Sequence, residues 1–326
     1  MLDVITVGSA SRDVFVKSGA LDIQESDTEP HVLEACFPLG AKIDIDELVF
    51  ETGGGATNAA ATLARLGFGV AAVCTVGQDA NGRDVVEALV EDGISDRFVQ
   101  RHPTGQTAYS IIIVAGSGER TILVHRGAAR KTDADAVPWS ELEAKWFYIS
   151  SLGGDEALLE RILEKAAAIG AKVAWNPGNA ELKLGLDRLE RYIRQVDVFN
   201  LNREEAATLT ACDRSDLACI IGSLRELPKR VLLVTDGLGG TYSVEGQETL
   251  HTDVIDVPRV NTTGAGDSFG SGFVAGLIRR DDVPYALAVG TCNAAGLVQE
   301  MGAKRGLLNA FPDEESLAKV KIEPWN

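Results

Sequence analysis

The chain has 326 residues, 45% of them hydrophobic, with 34 glycines. Lys and Arg number 31 against 48 Asp and Glu, a net charge of −17, so nucleic acid and anionic membrane surfaces are poor partners. A local nest of N–H groups within such an acidic surface still suits an anionic nucleotide, and the length fits one large α/β unit or two ordinary ones.

Five cysteines (36, 74, 212, 219 and 292) are scattered, odd in number and free of a Cys-x-x-Cys pair. With four isolated histidines they argue for a reducing, cytoplasmic compartment and against a disulfide framework or a zinc site. The N-terminus lacks a basic region and a long apolar core, so no signal peptide is expected, and no apolar run is long enough for a membrane span.

Taken in order, Val4–Val7 reads as a buried strand ended by Gly8, with Asp13 close behind. Residues 14–50 hold short β-like pieces (Val14–Lys17, His31–Phe37, Lys42–Val49) in acidic, turn-rich sequence, the mark of an antiparallel insertion. Gly53, Gly54 and Gly55 then open onto an alanine-rich helix from Asn58 to a glycine stop at Gly67. A strand at Val70–Val76 and an amphipathic helix at Asn81–Asp92 follow. Thr107–Val114 and Arg120–His125, joined by a Gly-containing turn at 115–119, form a hairpin that extends the insertion.

After the apolar run at 146–150 the pattern becomes regular. Helix Glu156–Ala168, strand Lys172–Trp175, helix Glu181–Arg194, strand Asp197–Asn200, helices 203–210 and 214–226, and strand Arg230–Thr235 succeed one another. Such alternation predicts crossover connections and a parallel sheet covered on both faces. Residues 254–258 read as a strand end, followed by two small-residue helices at 266–278 and 283–300.

The motif with most chemistry is Asn261-Thr-Thr-Gly-Ala-Gly-Asp-Ser-Phe269. Gly264 and Gly266 free the backbone, and the positive end of a helix starts at about Ala265 to Asp267, so several N–H groups converge beside one carboxylate. That arrangement suits phosphoryl transfer, with Asp267 taking a proton from an attacking hydroxyl; the alternative is that Asp267 only caps the helix. Gly53–Gly55 with Asn58 form either a mere turn or a bare-backbone cradle for a hydroxylated ligand. Asn202 and Glu205, three apart on one helix face, place Mg2+ or water near phosphates, or form an N-cap. Thr235–Gly240 wraps a ribose or phosphate, or is a simple turn, and Arg126 ends a lid strand or is a surface arginine. The chain has no P-loop and no dinucleotide fingerprint after its first strand.

In this order, over nearly the whole chain, these pieces resemble the ribokinase-like (PfkB) carbohydrate kinase family. The stretch from Asn261 resembles the family's carboxy-terminal signature, Gly53 to Gly67 its amino-terminal one, Gly8–Asp13 its substrate entry and Asn202–Glu205 its Asn-x-x-Glu motif. The resemblance implies an α/β three-layer sandwich, a mostly parallel central sheet with helices on both faces, plus a small antiparallel β lid. The main body would take residues 1–11, 51–104 and 128–326, and the lid 12–50 and 105–127.

It further implies an ATP-dependent kinase acting with Mg2+ on a primary hydroxyl of a sugar. Asp267 would be the base, and the N–H groups of Gly264, Ala265 and Gly266 the anion hole. Asp13, Gly53, Gly54 and Asn58 would hold the acceptor, with Arg126 available to a carboxylate. Asn202 and Glu205 would organise Mg2+ and triphosphate; Thr235, Gly237 and Gly240 would line the nucleotide, with Asn293 near its base. Asn261 departs from the family's usual Asp, which weakens the expectation of a K+ site formed with Thr263 and the 297–306 loop. Asp236 departs by setting an anion beside phosphates, so it is expected to point away. A ribose-like acceptor is favoured by Gly8, Ser9 and Asp13; a nucleoside is the main alternative, then a ketohexose or 2-keto-3-deoxygluconate, and a catalytically silent binding protein lies outside the class. Apolar lid positions (Val14, Val16, Ile43, Ile45) suggest a lid-mediated homodimer.

Overall fold

The computed structural model describes residues 1–19, 22–25, 33–115, 120–130 and 132–325. Strand β1 (Leu2–Val7) leads through Gly8 to β2 (Ser11–Lys17), the pair β3 (Asp22–Glu25) and β4 (Leu33–Cys36), and β5 (Glu47–Gly53). Next come α1 (Gly55–Arg65), β6 (Val70–Gly77), α2 (Ala80–Glu91), β7 (Val99–His102), β8 (Ala108–Val114), β9 (Arg120–His125) and β10 (Ala144–Ile149). The alternating half runs α3 (Glu156–Ile169), β11 (Lys172–Trp175), α4 (Asn179–Leu182), α5 (Leu186–Ile193), β12 (Val198–Asn202), α6 (Arg203–Thr210), α7 (Leu217–Leu224) and β13 (Val231–Thr235). It closes with β14 (Thr241–Glu245), β15 (Glu248–Thr252), α8 (Ala265–Arg280), α9 (Val283–Leu297), α10 (Glu314–Ala318) and β16 (Ile322–Pro324).

Ten strands form one sheet in the order β16-β15-β14-β13-β12-β11-β10-β1-β6-β7. From β13 through β7 every neighbouring pair is parallel, and the antiparallel pairs lie at the β14–β16 edge. Both faces are buried, as a parallel sheet requires: Ile5 and Val7 join the core under α3, α5, α6 and α7, while Val4 joins the one under α1, α2, α8 and α9. This is the expected three-layer arrangement. Helices α8 and α9 pack closely because their facing residues are small; a Cβ on Gly276 would lie 2.5 Å from Ala286 Cα.

A second sheet, β5-β2-β8-β9, gathers the insertion. Its outer pairs are antiparallel and its central β2–β8 pair is parallel, because a long crossover through the main body separates those strands.

Several local expectations need correction. The single helix at Glu181–Arg194 is two, broken at Gly185 with φ +81. Residues 254–258 form no strand. The β piece expected at Lys42–Val49 begins only at Glu47, since residues 41–45 are irregular. Of the piece at His31–Phe37, Leu33–Cys36 is a strand and 31–32 lie outside the described residues, as does 116–119 of the hairpin turn. Val14 is buried rather than exposed. Cys212 and Cys219 form a disulfide, against the expectation of none, since the loop between α6 and α7 returns one to the other.

Candidate active site

Helix α8 is entered through its N-cap Gly264, whose φ of +82 only glycine adopts without strain and whose Cβ would lie 3.2 Å from Ala303 Cβ. Nothing lies within 4 Å of where a Gly266 Cβ would be, so the backbone of this turn faces open space. The first-turn N–H groups of a 16-residue helix are here presented to any anion that enters. Asp267 does not cap the helix, for α8 has no side-chain cap; its Oδ2 accepts a hydrogen bond from Asn58 Nδ2 at 2.9 Å. Burial raises its carboxyl above the usual range, and the charge of Asp13 adds to this, while the Asn58 bond opposes it.

The loops after β1 and β5 come together beside this carboxylate. A Cβ on Gly54 (φ +95) would lie 2.5 Å from Ser9 O, and one on Gly55 2.6 Å from Ser150 Oγ and 3.7 Å from Asp267 Oδ1. A Cβ on Gly53 would lie 1.8 Å from Asp13 Oδ2. The triple glycine is therefore a close approach of backbone to Ser9, Asp13, Ser150 and Asp267 and not a mere turn. Asp13 is buried on β2 and accepts from Ser11 Oγ at 2.8 Å and from the Ser110 hydroxyl. Burial raises its carboxyl, partly offset by those hydroxyls and by Lys304 and Arg12. Asn58 links the two ends, since its Nδ2 holds Asp267 while its buried Oδ1 has no partner among the described residues. Arg126 is exposed just beyond β9.

Toward the other end, Asn202 and Glu205 form a capping box on α6: Asn202 Oδ1 accepts from Glu205 N at 2.8 Å, and Glu205 Oε2 accepts from Asn202 N at 2.9 Å. Burial raises Glu205, and the charges of Asp267 and Glu204 raise it further. Two carboxylates that repel one another in a half-buried cleft suit a divalent cation, so the donor set fits Mg2+. Among the described residues no three His, Cys, Asp or Glu side chains are grouped to hold a metal, so such an ion would need water or phosphate ligands.

β13 ends at Thr235, and the turn after it carries Gly237 (φ +53) and Gly240 (φ +82), the last against Thr252 O. Asp236 turns into an ion pair with Arg203 at 2.6 Å. Arg203 also donates to the carbonyls of Arg214 and Ser215, tying in the disulfide loop. Asn293 is a correction. It is fully buried, its Nδ2 donates to Thr62 Oγ1 and Ser268 O, and its Oδ1 accepts from Leu308 N, so it joins α9 to α1 and α8 and is closed to a nucleotide.

Asn261 is buried, with Nδ2 donating to Gly302 O at 3.2 Å and Oδ1 accepting from Thr263 N at 3.1 Å. A donor therefore faces the carbonyl, and the fit to a potassium site fails. The small sheet rests on the same loops: Arg120 bonds Thr262 Oγ1, Glu51 pairs with Arg305 at 2.5 Å, and Phe15, Ile112 and Val114 pack on Met301.

Sequence reasoning missed Ser150, Lys304 and Glu181. Ser150 ends a strand with no motif around it. Lys304 is buried and donates to Thr52 Oγ1 at 2.8 Å, and burial pushes its ammonium down to about 8. Buried Glu181 accepts from Ser151 Oγ, Leu152 N, Gly154 N and Gly178 N, fixing the loop after β10. Only its helical setting was legible.

A parallel sheet with an open helix N-terminus, an adjacent carboxylate and a small second sheet beside them fits a small-molecule kinase architecture. Residues 28–309 match the model of the pfkB family carbohydrate kinases, and the chain belongs to that family. An uncharacterised sugar kinase of Archaeoglobus fulgidus is 29% identical over 253 residues, covering 75% of this chain and 97% of that protein. Adenosine kinase of Sinorhizobium meliloti superposes with TM-score 0.79 at 21% identity, covering 95% of this chain and 97% of the other. Arabidopsis thaliana ribokinase, complexed with ribose and ATP, superposes with TM-score 0.74 at 21% identity, covering 98% of each chain. At these identities the two structures establish the fold.

Proposed function

We propose that the chain is an ATP-dependent kinase that moves the γ-phosphoryl group of ATP to a primary hydroxyl of a sugar, with a ribose-like acceptor favoured. The observation that carries this is Asp267, a half-buried carboxylate at an open helix N-terminus, held by Asn58 from the acceptor side rather than spent on a cap. The acceptor oxygen attacks the γ-phosphorus as its proton passes to Asp267, and the bond from phosphorus to the β,γ-bridging oxygen breaks, releasing ADP. The N–H groups of Gly264, Ala265 and Gly266 hold the charge on the transferring group. Asp13, Gly53, Gly54 and Asn58 hold acceptor hydroxyls. Asn202 and Glu205 organise Mg2+, which neutralises phosphate charge when bound, and Thr235, Gly237 and Gly240 line the nucleotide. The small sheet β5-β2-β8-β9, largely within the segments 12–50 and 105–127, acts as a lid that excludes water.

One observation favours a nucleoside acceptor as the second reading. In the register of the small sheet, Val124 lies beside Ser110 and Asp13 on one face, with Ile122 next along it, and these two are 53% and 40% exposed. An apolar surface beside a hydroxyl-binding carboxylate matches a ligand with a sugar end and a base end. The relatives' names span both classes. An ADP-release assay over sugars, nucleosides and a keto-deoxy acid decides. Turnover with ribose-like sugars alone supports the first reading and with nucleosides alone the second. Ligand binding without any turnover would support a silent binding protein.

The opposite face of the small sheet presents Leu48, Phe50, Ile111 and Leu123, which supports a lid-mediated homodimer. Elution as a monomer at micromolar concentration counts against it. Free Cys36, Cys74 and Cys292 support a cytoplasmic setting, and the Cys212–Cys219 disulfide opposes it. A thiol count on protein isolated without reductant separates the two: five free thiols favour the cytoplasm and three the opposite.

A further inference from the structure

We propose that this chain works without a monovalent cation, because the side-chain amide of Asn261 itself joins the 261–263 turn to the segment after α9. Asn261 is 1% exposed, so its amide makes its bonds within the protein. Its orientation is set by its surroundings. Thr263 N–H is a donor and must meet Oδ1, at 3.1 Å; reversed, the amide would set donor against donor. Nδ2 is thereby left facing Gly302 O at 3.2 Å, and an N–H···O bond closes the contact.

A carboxylate in this place would set an anionic oxygen against the Gly302 carbonyl oxygen. Two electron-rich oxygens at that separation repel unless a cation lies between them. The amide removes that need. Thr263 Oγ1 is also buried here, without a partner among the described residues, but the Gly302 carbonyl beside it is already met by the amide. Because the turn runs directly into Gly264 and α8, the amide also holds the anion-binding backbone in place whatever salt is present.

Thermal melting tests the proposal independently of the acceptor, since it asks only whether potassium binds the folded chain. Wild-type protein is melted in KCl and in choline chloride at equal ionic strength, beside Asn261→Asp. The wild-type midpoints should agree within about 1 °C. Asn261→Asp, with two facing oxygens restored, should melt lower in choline chloride and gain about 2 °C or more in KCl. A KCl-specific rise in the wild type overturns the proposal, as does an Asn261→Asp protein that gains nothing. If Asn261→Asp does not fold, the wild-type comparison decides alone. The turnover arm rests on the kinase reading: wild-type rates should change by less than about twofold between the salts, and Asn261→Asp should be activated by KCl. No turnover with any acceptor would refute the kinase reading and leave the melting result standing.

Discussion

Asp267→Asn separates two roles of one carboxylate, because the amide keeps its shape and removes its basicity. The substituted amide can still present an oxygen to Asn58 Nδ2, which in the native chain donates to Asp267 Oδ2 at 2.9 Å, so the link between acceptor and phosphoryl ends survives. The proposed anion hole is backbone and stays intact. The loss is therefore that of a general base, about 10²–10⁴ in kcat, with the KM for ATP changed little. Stability should move the other way. Burial raises the folded-state pKa of Asp267 above its unfolded value, so the ionised form is disfavoured in the native protein. The folded state then binds more protons than the unfolded state between those two pKa values, and this group's contribution to stability increases as pH falls through the folded pKa and is lost as pH rises through it. At neutral pH the carboxylate thus costs stability, and Asp267→Asn should melt at or above the wild-type temperature with a flatter pH dependence. A coupled ADP assay and melting curves from pH 5 to 8 test both limbs. Near-normal turnover would refute the base assignment. A wild-type protein that loses stability relative to the variant as pH falls toward 5 would refute the electrostatic argument.

Further outcomes follow from the contacts. Glu181→Ala strands the donors now meeting one buried carboxylate, and urea unfolding should show a loss of about 3 kcal/mol. Gly276→Val forces branched carbon into a space where a Cβ already lies 2.5 Å from Ala286 Cα. Overpacking of the α8–α9 contact should cost about 1–3 kcal/mol, read in the same unfolding experiment. Arg203→Ala frees Asp236 to face the nucleotide and unties the 214–215 carbonyls. Its KM for ATP should rise by about tenfold with kcat nearly unchanged, and an unaltered KM would show that Asp236 lies clear of the triphosphate.

Much of the frame is legible along the chain because it depends on neighbours in sequence. Buried parallel strands are short apolar runs, and their helices are amphipathic stretches closed by glycines, so β11 was expected at its observed residues and α3 within one residue of its observed end. Gly185 broke a longer pattern because a backbone at φ +81 leaves the helical region, a local signal overridden by the apolar periodicity around it. Strands β14 to β16 were missed because their pairing sits at a sheet edge.

The sequence by itself determined the class. It holds a glycine turn ahead of a helix with Asp267 in its first turn, a glycine-to-Asn58 opening and alternating strands. Each of these is a run of adjacent residues with one physical purpose. Tertiary structure alone decided what the side chains do, because their partners are distant in the chain. Asp267 is held by Asn58, 209 residues away, which separates a site carboxylate from a cap. Asn293 belongs to the core because Thr62, Ser268 and Leu308 take all its bonds. Asn261, a motif residue out of pattern, is a bridge only because Gly302 O lies 3.2 Å from its amide. Spacing along a chain states which chemistry is available, and the packing of remote segments states which of those atoms are free to perform it.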